Sequence, residues 1–176
     1  MKYLIASDFH GRVSAYKDLA EAVNVFRPDK VILLGDLCDG SGARSVNNEL
    51  DKIFCQILSV RGNCDFPTIF DELHLGDAGT CYNEKIGDRT AFFTHGHIYG
   101  RNVLPPFSER GDVVFYGHYH FPEIATLAGR TCVCVGSAGK PRGGSEPTFC
   151  LFDGETVKIC NLKTYEVIVE KTLEKE

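Results

Sequence analysis

About halfway along this chain the apolar residues change their spacing, and that change restricts the fold more than any other feature. In the first half, short apolar runs alternate with helical periodicity. Lys2 to Ser7 has the pattern of a short buried strand. Ser14 to Phe26 carries Tyr16, Leu19, Ala20, Val23 and Phe26 at helical spacing, and Pro28 stops it. Val31 to Leu34 predicts a second strand, ended by Gly35. Ser45 to Phe54 predicts a helix with Val46, Leu50, Ile53 and Phe54 on one face. Ile57 to Val60 predicts a third strand, closed by Arg61-Gly62.

The second half reads as strands joined by turns. Thr80 to Ile86 and Thr90 to Thr94 flank Gly87-Asp88, and Val113 to Tyr116 ends at Gly117. Ala125 to Leu127 and Thr131 to Val135 flank Gly129-Arg130. Thr148 to Phe152 and Thr156 to Asn161 flank Asp153-Gly154, a strong hairpin signal, and Tyr165 to Thr172 is a last strand. Cys38 to Arg44 and Gly136 to Pro147 predict long loops, which in compact domains often carry function. A parallel α/β start followed by antiparallel hairpins predicts two sheets packed face to face with helices outside. No repeat or linker interrupts the 176 residues, so residues 1–176 predict one domain.

Composition excludes several classes. No apolar run approaches the ~20 residues of a membrane span. The start, MKYLIASDFHGR, is too short in apolar residues for a signal-peptide core. Eight cysteines, with no secretory segment and a chain large enough to need no staples, predict reduced thiols and a cytoplasmic location. No C-x-x-C pair points to a thiolate zinc site, and Cys132 and Cys134 share one strand face, where they cannot easily bridge. The net charge is −5 without any long Lys/Arg cluster, which argues against binding long nucleic acid. A phosphate substrate stays open, because bound metals would supply local positive charge.

Five clusters stand at the ends of predicted strands: Asp8-Phe9-His10, Gly35-Asp36, Gly62-Asn63-Cys64-Asp65, His95-Gly96-His97 and Gly117-His118-Tyr119-His120. Such positions are where α/β folds place their sites, and five of the six histidines lie in them. In extended chain, residues two apart share a face. Asp8 and His10 then reach one point while Phe9 turns away, as do His118 and His120 around Tyr119. The glycines permit sharp turns and close packing. Mixed carboxylate, imidazole and amide donors suit manganese, iron, zinc or similar ions better than calcium or magnesium.

The series D-x-H, G-D, G-N-C-D, H-G-H and G-H-x-H, in that order over nearly the whole chain, resembles the calcineurin-like metallophosphoesterases. The likeness is greatest to their small single-domain bacterial and archaeal phosphodiesterases. It implies an α/β (α+β) fold, a four-layer αββα sandwich of two mixed β-sheets with helices outside. It implies that Asp8, His10 and His120 hold one metal, that Asn63, His95 and His118 hold a second, and that Asp36 bridges both. Two divalent ions are expected, manganese first, with iron, zinc, nickel and magnesium as alternatives. The implied activity is hydrolysis of phosphate esters, diesters and also monoesters, by a hydroxide bridging metals ~3.5–4 Å apart.

Many larger members of that family carry a histidine after the metal-binding asparagine, placed to protonate the leaving group. Here Cys64 stands there, as in the small phosphodiesterases, and His97 becomes the candidate acid beside a Cys64 that otherwise reads as an inert thiol. Asp65 either caps its loop or orients a metal-bound imidazole. The segment from Gly136 to Gly144 is similar to a Gly-Ser…Pro-Arg/Lys-Gly loop of the family, with Cys134-Val135 where Asn-Pro is usual. Lys140 or Arg142 there touches substrate phosphate or belongs to a plain surface turn, and Arg12 and Arg61 carry the same two readings. His74 lies outside every motif and reads as an ordinary structural or surface histidine. The expected partner is a small phosphate ester, without membrane or nucleic acid; homo-oligomerisation stays open. Two other readings compete. One is a non-catalytic protein-binding scaffold similar to the small retromer subunit, which departs from several ligand histidines; this chain retains all seven donor types. The other is a nuclease, against which the lack of basic surface weighs.

Overall fold

Four consecutive apolar residues form β1 (Tyr3–Ala6), and all four are buried. An uninterrupted apolar strand needs cover on both faces. The computed structural model, which describes residues 1–39 and 42–174, supplies it. Leu4 and Ala6 join a cluster built with helices, whereas Tyr3 and Ile5 pack against a second sheet. β2 (Lys30–Leu33) divides the same way, with Val31 and Leu33 toward the helices and Ile32 toward the sheet.

The helices are α1 (Val13–Phe26), α2 (Ala43–Leu50) and α3 (Thr68–Glu72). α1 buries Tyr16, Leu19, Ala20 and Val23, the stripe that their spacing predicts. It ends where Arg27 turns left-handed, its amide on Val23 O, ahead of Pro28. α2 stops at Leu50, short of the expected Phe54. Bonds from Lys52 N to Glu49 O and from Ile53 N to Leu50 O tighten the chain there, because β3 (Gln56–Ser59) must begin almost at once. Ile53 still reaches the core, but Phe54 is 87% exposed. The expected loop from Cys38 to Arg44 is shortened as well: α2 takes in Ala43 and Arg44, and Gly40 and Ser41 lie outside the described residues. α3, five residues after Pro67, is too short for periodicity to reveal.

The first sheet continues with β9 (Thr148–Phe152), β10 (Thr156–Asn161) and β11 (Val167–Thr172), in the order β11-β10-β9-β1-β2-β3. β1, β2 and β3 are parallel, and β9 returns antiparallel to β1. The Asp153-Gly154 turn joins β9 to β10, with Phe152 opposite Val157. The second sheet contains β4 (Cys81–Ile86), β5 (Arg89–Thr94), β6 (Val113–Tyr116), β7 (Pro122–Leu127) and β8 (Arg130–Val135), in the order β4-β5-β6-β8-β7. Its three central strands are parallel and its edges antiparallel. Pro122 is tolerated because β7 is an edge. The turn before β8 is Ala128-Gly129, one residue earlier than expected, so Arg130 opens the strand.

Alternation then sorts the second sheet. Phe93, Val113, Phe115, Val133 and Val135 meet Ile5, Ile32 and Phe152 between the sheets. Phe92, Val114, Tyr116, Cys132 and Cys134 fall on the outer face, and the last two thiols lie there unbridged. Two mixed sheets thus pack face to face as an α/β sandwich. Among the described residues the three helices all contribute to the cluster on the first sheet. Over the second sheet, Leu104 packs from the irregular segment 96–112, where Pro105-Pro106 denies a helix. His95 after β5 reaches Leu34 after β2, so the carboxyl ends of the parallel strands of both sheets meet at one edge. Among the described residues no helix is long and apolar enough to cross a membrane.

Candidate metal centre

The predicted donors all lie beyond those carboxyl ends: Asp8 and His10 after β1, Asp36 after β2, Asn63 after β3, His95 after β5, His118 and His120 after β6. Asp8, Asp36, His95 and His120 are buried, His10 and His118 half-buried, and Asn63 exposed. One ligand atom each from Asp8, His10, Asp36 and His120 lies within 4.8 Å of the others. Asp36 Oδ2 is 3.6 Å from His10 Nε2, and its Oδ1 is 3.5 Å from His95 Nε2. His95 Nε2 lies 3.0 Å from Asn63 Oδ1, and its ring is 5.2 Å from that of His118. Asp36 therefore stands between two groups of donors.

The backbone achieves this differently from expectation. Instead of extended chain, φ is 57° at Asp8, 48° at His10, 50° at Asp36 and 65° at both His118 and His120. A left-handed non-glycine residue costs of order 1–3 kcal/mol and persists only where its surroundings over-determine it. Here Asp8 N donates to Gly35 O (3.1 Å) and His10 N to Asp36 O (2.9 Å). Phe9 between them is buried and stacks on Tyr16 at 4.2 Å. Two glycines are required by close approach: a Cβ on Gly62 would overlap Asp36 Oδ1, and one on Gly117 would overlap Ser7 Oγ and Asp8 Oδ2.

Three imidazoles direct a ring N–H away from the centre. His95 Nδ1 donates to Leu34 O (2.8 Å), His120 Nδ1 to Lys140 O (2.6 Å) and His10 Nδ1 to Asp39 Oδ1 (3.0 Å). A neutral imidazole has one N–H, so each Nε2 presents a lone pair inward. Those lone pairs face oxygens: His120 Nε2 is 3.2 Å from Asp8 Oδ1, while His10 and His95 face Asp36. His10 Nε2 and Asp8 Oδ1 are buried without a hydrogen-bond partner among the described residues. Acceptors crowded in a buried site repel unless a proton or a cation lies between them. Protons answer the same field. The Asp8 carboxylate, which would accept from a protonated Nε2, raises the pKa of His120; burial lowers that of His95, but Asp36 and Asp8 outweigh it and raise it. Burial pushes Asp36 up, yet His95 and Cys64 hold it well below the usual carboxylate range. Outward-pinned imidazoles beside carboxylates and an amide are a donor set that fits borderline divalent cations.

Around this centre, Asp65 accepts the amides of Asp36, Leu37 and Gly62, each at 2.8 Å, and so ties the loops after β2 and β3 together. Its described hydrogen bonds go to those amides and not to an imidazole. Cys64 is exposed; its amide donates to Asp36 Oδ1 at 2.9 Å, and burial followed by Asp36 pushes its thiol up to about 11. His97 is exposed, 5.3 Å from the His95 ring and 6.3 Å from that of His118; burial, then both neighbours, lower its pKa. Ser137 Oγ donates to Asp8 O and accepts from Lys140 N, both at 2.8 Å, which fixes the predicted Gly136 loop against the centre. Arg142 donates its amide to His120 O at 2.9 Å while its side chain is exposed. Arg61 is paired with Asp77, and Arg12 and His74 are exposed. Asp39 belongs to no motif, yet it joins His10 to Lys140, whose Nζ is 3.1 Å from its Oδ2. Its only sequence signal is its place in the loop three residues after Asp36. An open cleft of about 440 Å³ adjoins the centre, lined by His10, Asp39, Asn63, Cys64, Phe66 and Lys140 among others.

Residues 1–157 match the model of the calcineurin-like phosphoesterase superfamily domain. The chain is 26% identical over 179 residues to Phosphodiesterase YfcE of Escherichia coli K12, covering 97% of each chain. The solved structure of E. coli Yfce, described as a phosphoesterase, superposes with a TM-score of 0.90 at 26% identity, covering 99% of this chain and 100% of that one. Likeness of fold alone extends to an archaeal phosphodiesterase (TM-score 0.65, 22% identity, 98% of this chain and 100% of that one). The same holds for zinc-complexed Vps29 of Entamoeba histolytica (TM-score 0.66, 20% identity, 99% and 100%). A family match over most of the sequence, on a sandwich whose strand ends gather the motif residues, identifies the chain as a member of the calcineurin-like phosphoesterase superfamily.

Proposed function

We propose that this chain is a metal-dependent hydrolase of phosphodiesters, with phosphomonoesters as a secondary class. One observation carries the reading: three imidazoles turn Nε2 lone pairs onto carboxylate and amide oxygens around Asp36. Asp8, His10 and His120 would hold one divalent cation, Asn63, His95 and His118 a second, and Asp36 both, with manganese the first expectation. When bound, such a pair lowers the pKa of a water toward 7 and neutralises phosphate charge.

The chain's own side chains orient this chemistry. Leu34 O, Lys140 O and Asp39 fix the tautomers of three imidazoles. Asp65 is a positioning residue, setting the loops that carry Asp36 and Asn63. The ion pair of Lys140 with Asp39 is half exposed and worth about 1 kcal/mol or less, so its ammonium is available to a phosphate oxygen. Neither Cys64 nor His97 is set up as a reservoir of protons near neutrality: burial and Asp36 push the thiol up to about 11, and burial with the neighbouring imidazoles of His95 and His118 disfavours the protonated form of His97. His97 then acts by hydrogen-bonding the leaving oxygen, and esters with good leaving groups, such as nitrophenyl diesters, are favoured. Unchanged turnover in Cys64→Ala is the matching expectation for an uninvolved thiol.

The likeness to YfcE, named a phosphodiesterase, supports the choice of diesters. Vps29 shares the fold alone, and a protein-binding scaffold has no need of seven converging donors. The test is a panel of nitrophenyl diesters, monoesters, cyclic nucleotides and oligonucleotides, run on chelated protein before and after manganese. Diester turnover restored by manganese, and lost in Asn63→Ala and His118→Ala, is expected. Full activity in excess EDTA overturns the reading, and a salt-sensitive preference for oligonucleotides replaces it with a nuclease.

A further inference from the structure

The cleft beside the centre is lined by two unlike side chains, among others. Lys140 brings a half-exposed ammonium, and Phe66 brings a phenyl ring with the residue 75% exposed. Exposure alone decides nothing, since Phe54 and Phe107 are more exposed elsewhere on the surface. Phe66 differs by its place. It follows Asn63 by three residues and lines the same cleft as His10 and Lys140.

Its backbone is held from both sides. Asp65, the preceding residue, is locked by three amides, and Phe66 O accepts Ile69 N at 2.9 Å to open α3. Pro67 restricts Phe66 further from the following position. A flat ring presented on a fixed backbone loses little freedom when a partner stacks on it. At about 440 Å³ the cleft is within the range of small-molecule pockets and has room for more than a phosphate. An anion beside Lys140 and a planar ring against Phe66 would match these two lining side chains.

We propose that Phe66 is a stacking platform for a planar aromatic group on the ester, so that aryl or nucleoside esters are the preferred substrates; this rests on the phosphodiesterase reading of the centre. The test uses manganese-loaded protein and non-hydrolysable methyl-, phenyl- and adenosine phosphonates, with dissociation constants from calorimetry. Phe66→Ala is expected to bind the ring-bearing phosphonates about five- to a hundredfold more weakly than wild type, with methylphosphonate unchanged. The chain has no tryptophan, so Phe66→Trp adds a single fluorophore. It is expected to retain tight binding and to be quenched by the ring-bearing ligands only. The larger loss in Phe66→Ala, for phenyl or for adenosine, identifies the preferred ring. Equal affinity of wild type and Phe66→Ala for both ring-bearing ligands, with methylphosphonate still bound, overturns the platform alone. If manganese does not strengthen methylphosphonate binding to wild type, the reading of the centre falls and the platform with it.

Discussion

The two groups of donors around Asp36 differ in depth and in charge. Asp8, His10 and His120 are buried or half-buried; the group adds its own carboxylate to that of Asp36, and both imidazoles are pinned from behind. Asp8 is tethered by the amide of His118 at 2.9 Å and by Ser137 at its carbonyl. Asn63, His95 and His118 bring no carboxylate of their own. Only His95 is fully buried, and Asn63 stands at the rim of the cleft. Attraction between a carboxylate and a cation strengthens with burial and weakens with solvent screening. If the two-cation proposal holds, the inner group, with a carboxylate of its own, would retain a cation more tightly than the outer group.

The heaviest blow to this picture falls on the residue both groups share. Asp36→Ala is expected to abolish binding of both cations and to cost more than the about 100-fold that loss of an outer partner causes. Metal content after dialysis measures it, with far-ultraviolet circular dichroism to show that the sandwich persists. Two manganese ions retained by Asp36→Ala would separate the groups and end the comparison.

Next comes the inequality itself. A manganese titration should resolve two events differing at least about tenfold in affinity, the weaker lost in Asn63→Ala while the stronger stays. His120→Ala should instead remove the stronger. Two indistinguishable sites in the wild type would show that depth and charge do not set affinity here.

The sequence made the converging side chains visible because donors of the right types recur at short spacings beside glycines and strand ends. It also made the buried strands visible, since Tyr3–Ala6 is apolar on both faces. What it hid was conformation. Left-handed backbone at Asp8, His10, Asp36, His118 and His120 is imposed by tethers from distant strands, and local pattern predicts extended chain instead. It also hid partners joined only in space. Asp39 and Lys140 are 101 residues apart, and neither has a spacing that announces the other. Phe54 misled for a related reason: it keeps helical spacing, but the approach of β3 ends α2 at Leu50.

Asp39 gives a smaller effect of defined direction. Asp39→Ala frees the His10 ring and should weaken the inner cation about 10- to 100-fold, leaving the outer one nearly unchanged. Lys140→Ala removes only the exposed half of the network and should leave metal affinity alone while raising KM for an anionic ester. Equal weakening of both cations by Asp39→Ala would mean that the groups respond as one unit.

The smallest effect tests whether any loss of stability alters the centre. Asp153 sits in the β9–β10 turn, where its Oδ1 accepts the amides of Glu155 (2.9 Å) and Thr156 (2.7 Å). Burial pushes its carboxyl up, but the amide donors outweigh this and hold it below the ordinary value of 3.8. A carboxyl with a depressed folded pKa stabilises the fold above its unfolded value and loses that contribution as pH falls through the folded one. Asp153→Ala should therefore lower stability near pH 7 by about 1 kcal/mol or less, discounting for exposure, and the difference from wild type should shrink below pH 4. Chemical denaturation at several pH values measures it. The manganese isotherm should not move, because the turn touches neither donor group. If it does move, weakened binding in the other variants reports general loosening of the sandwich, and the contrast between inner and outer donors has to be sought by a method that holds stability fixed.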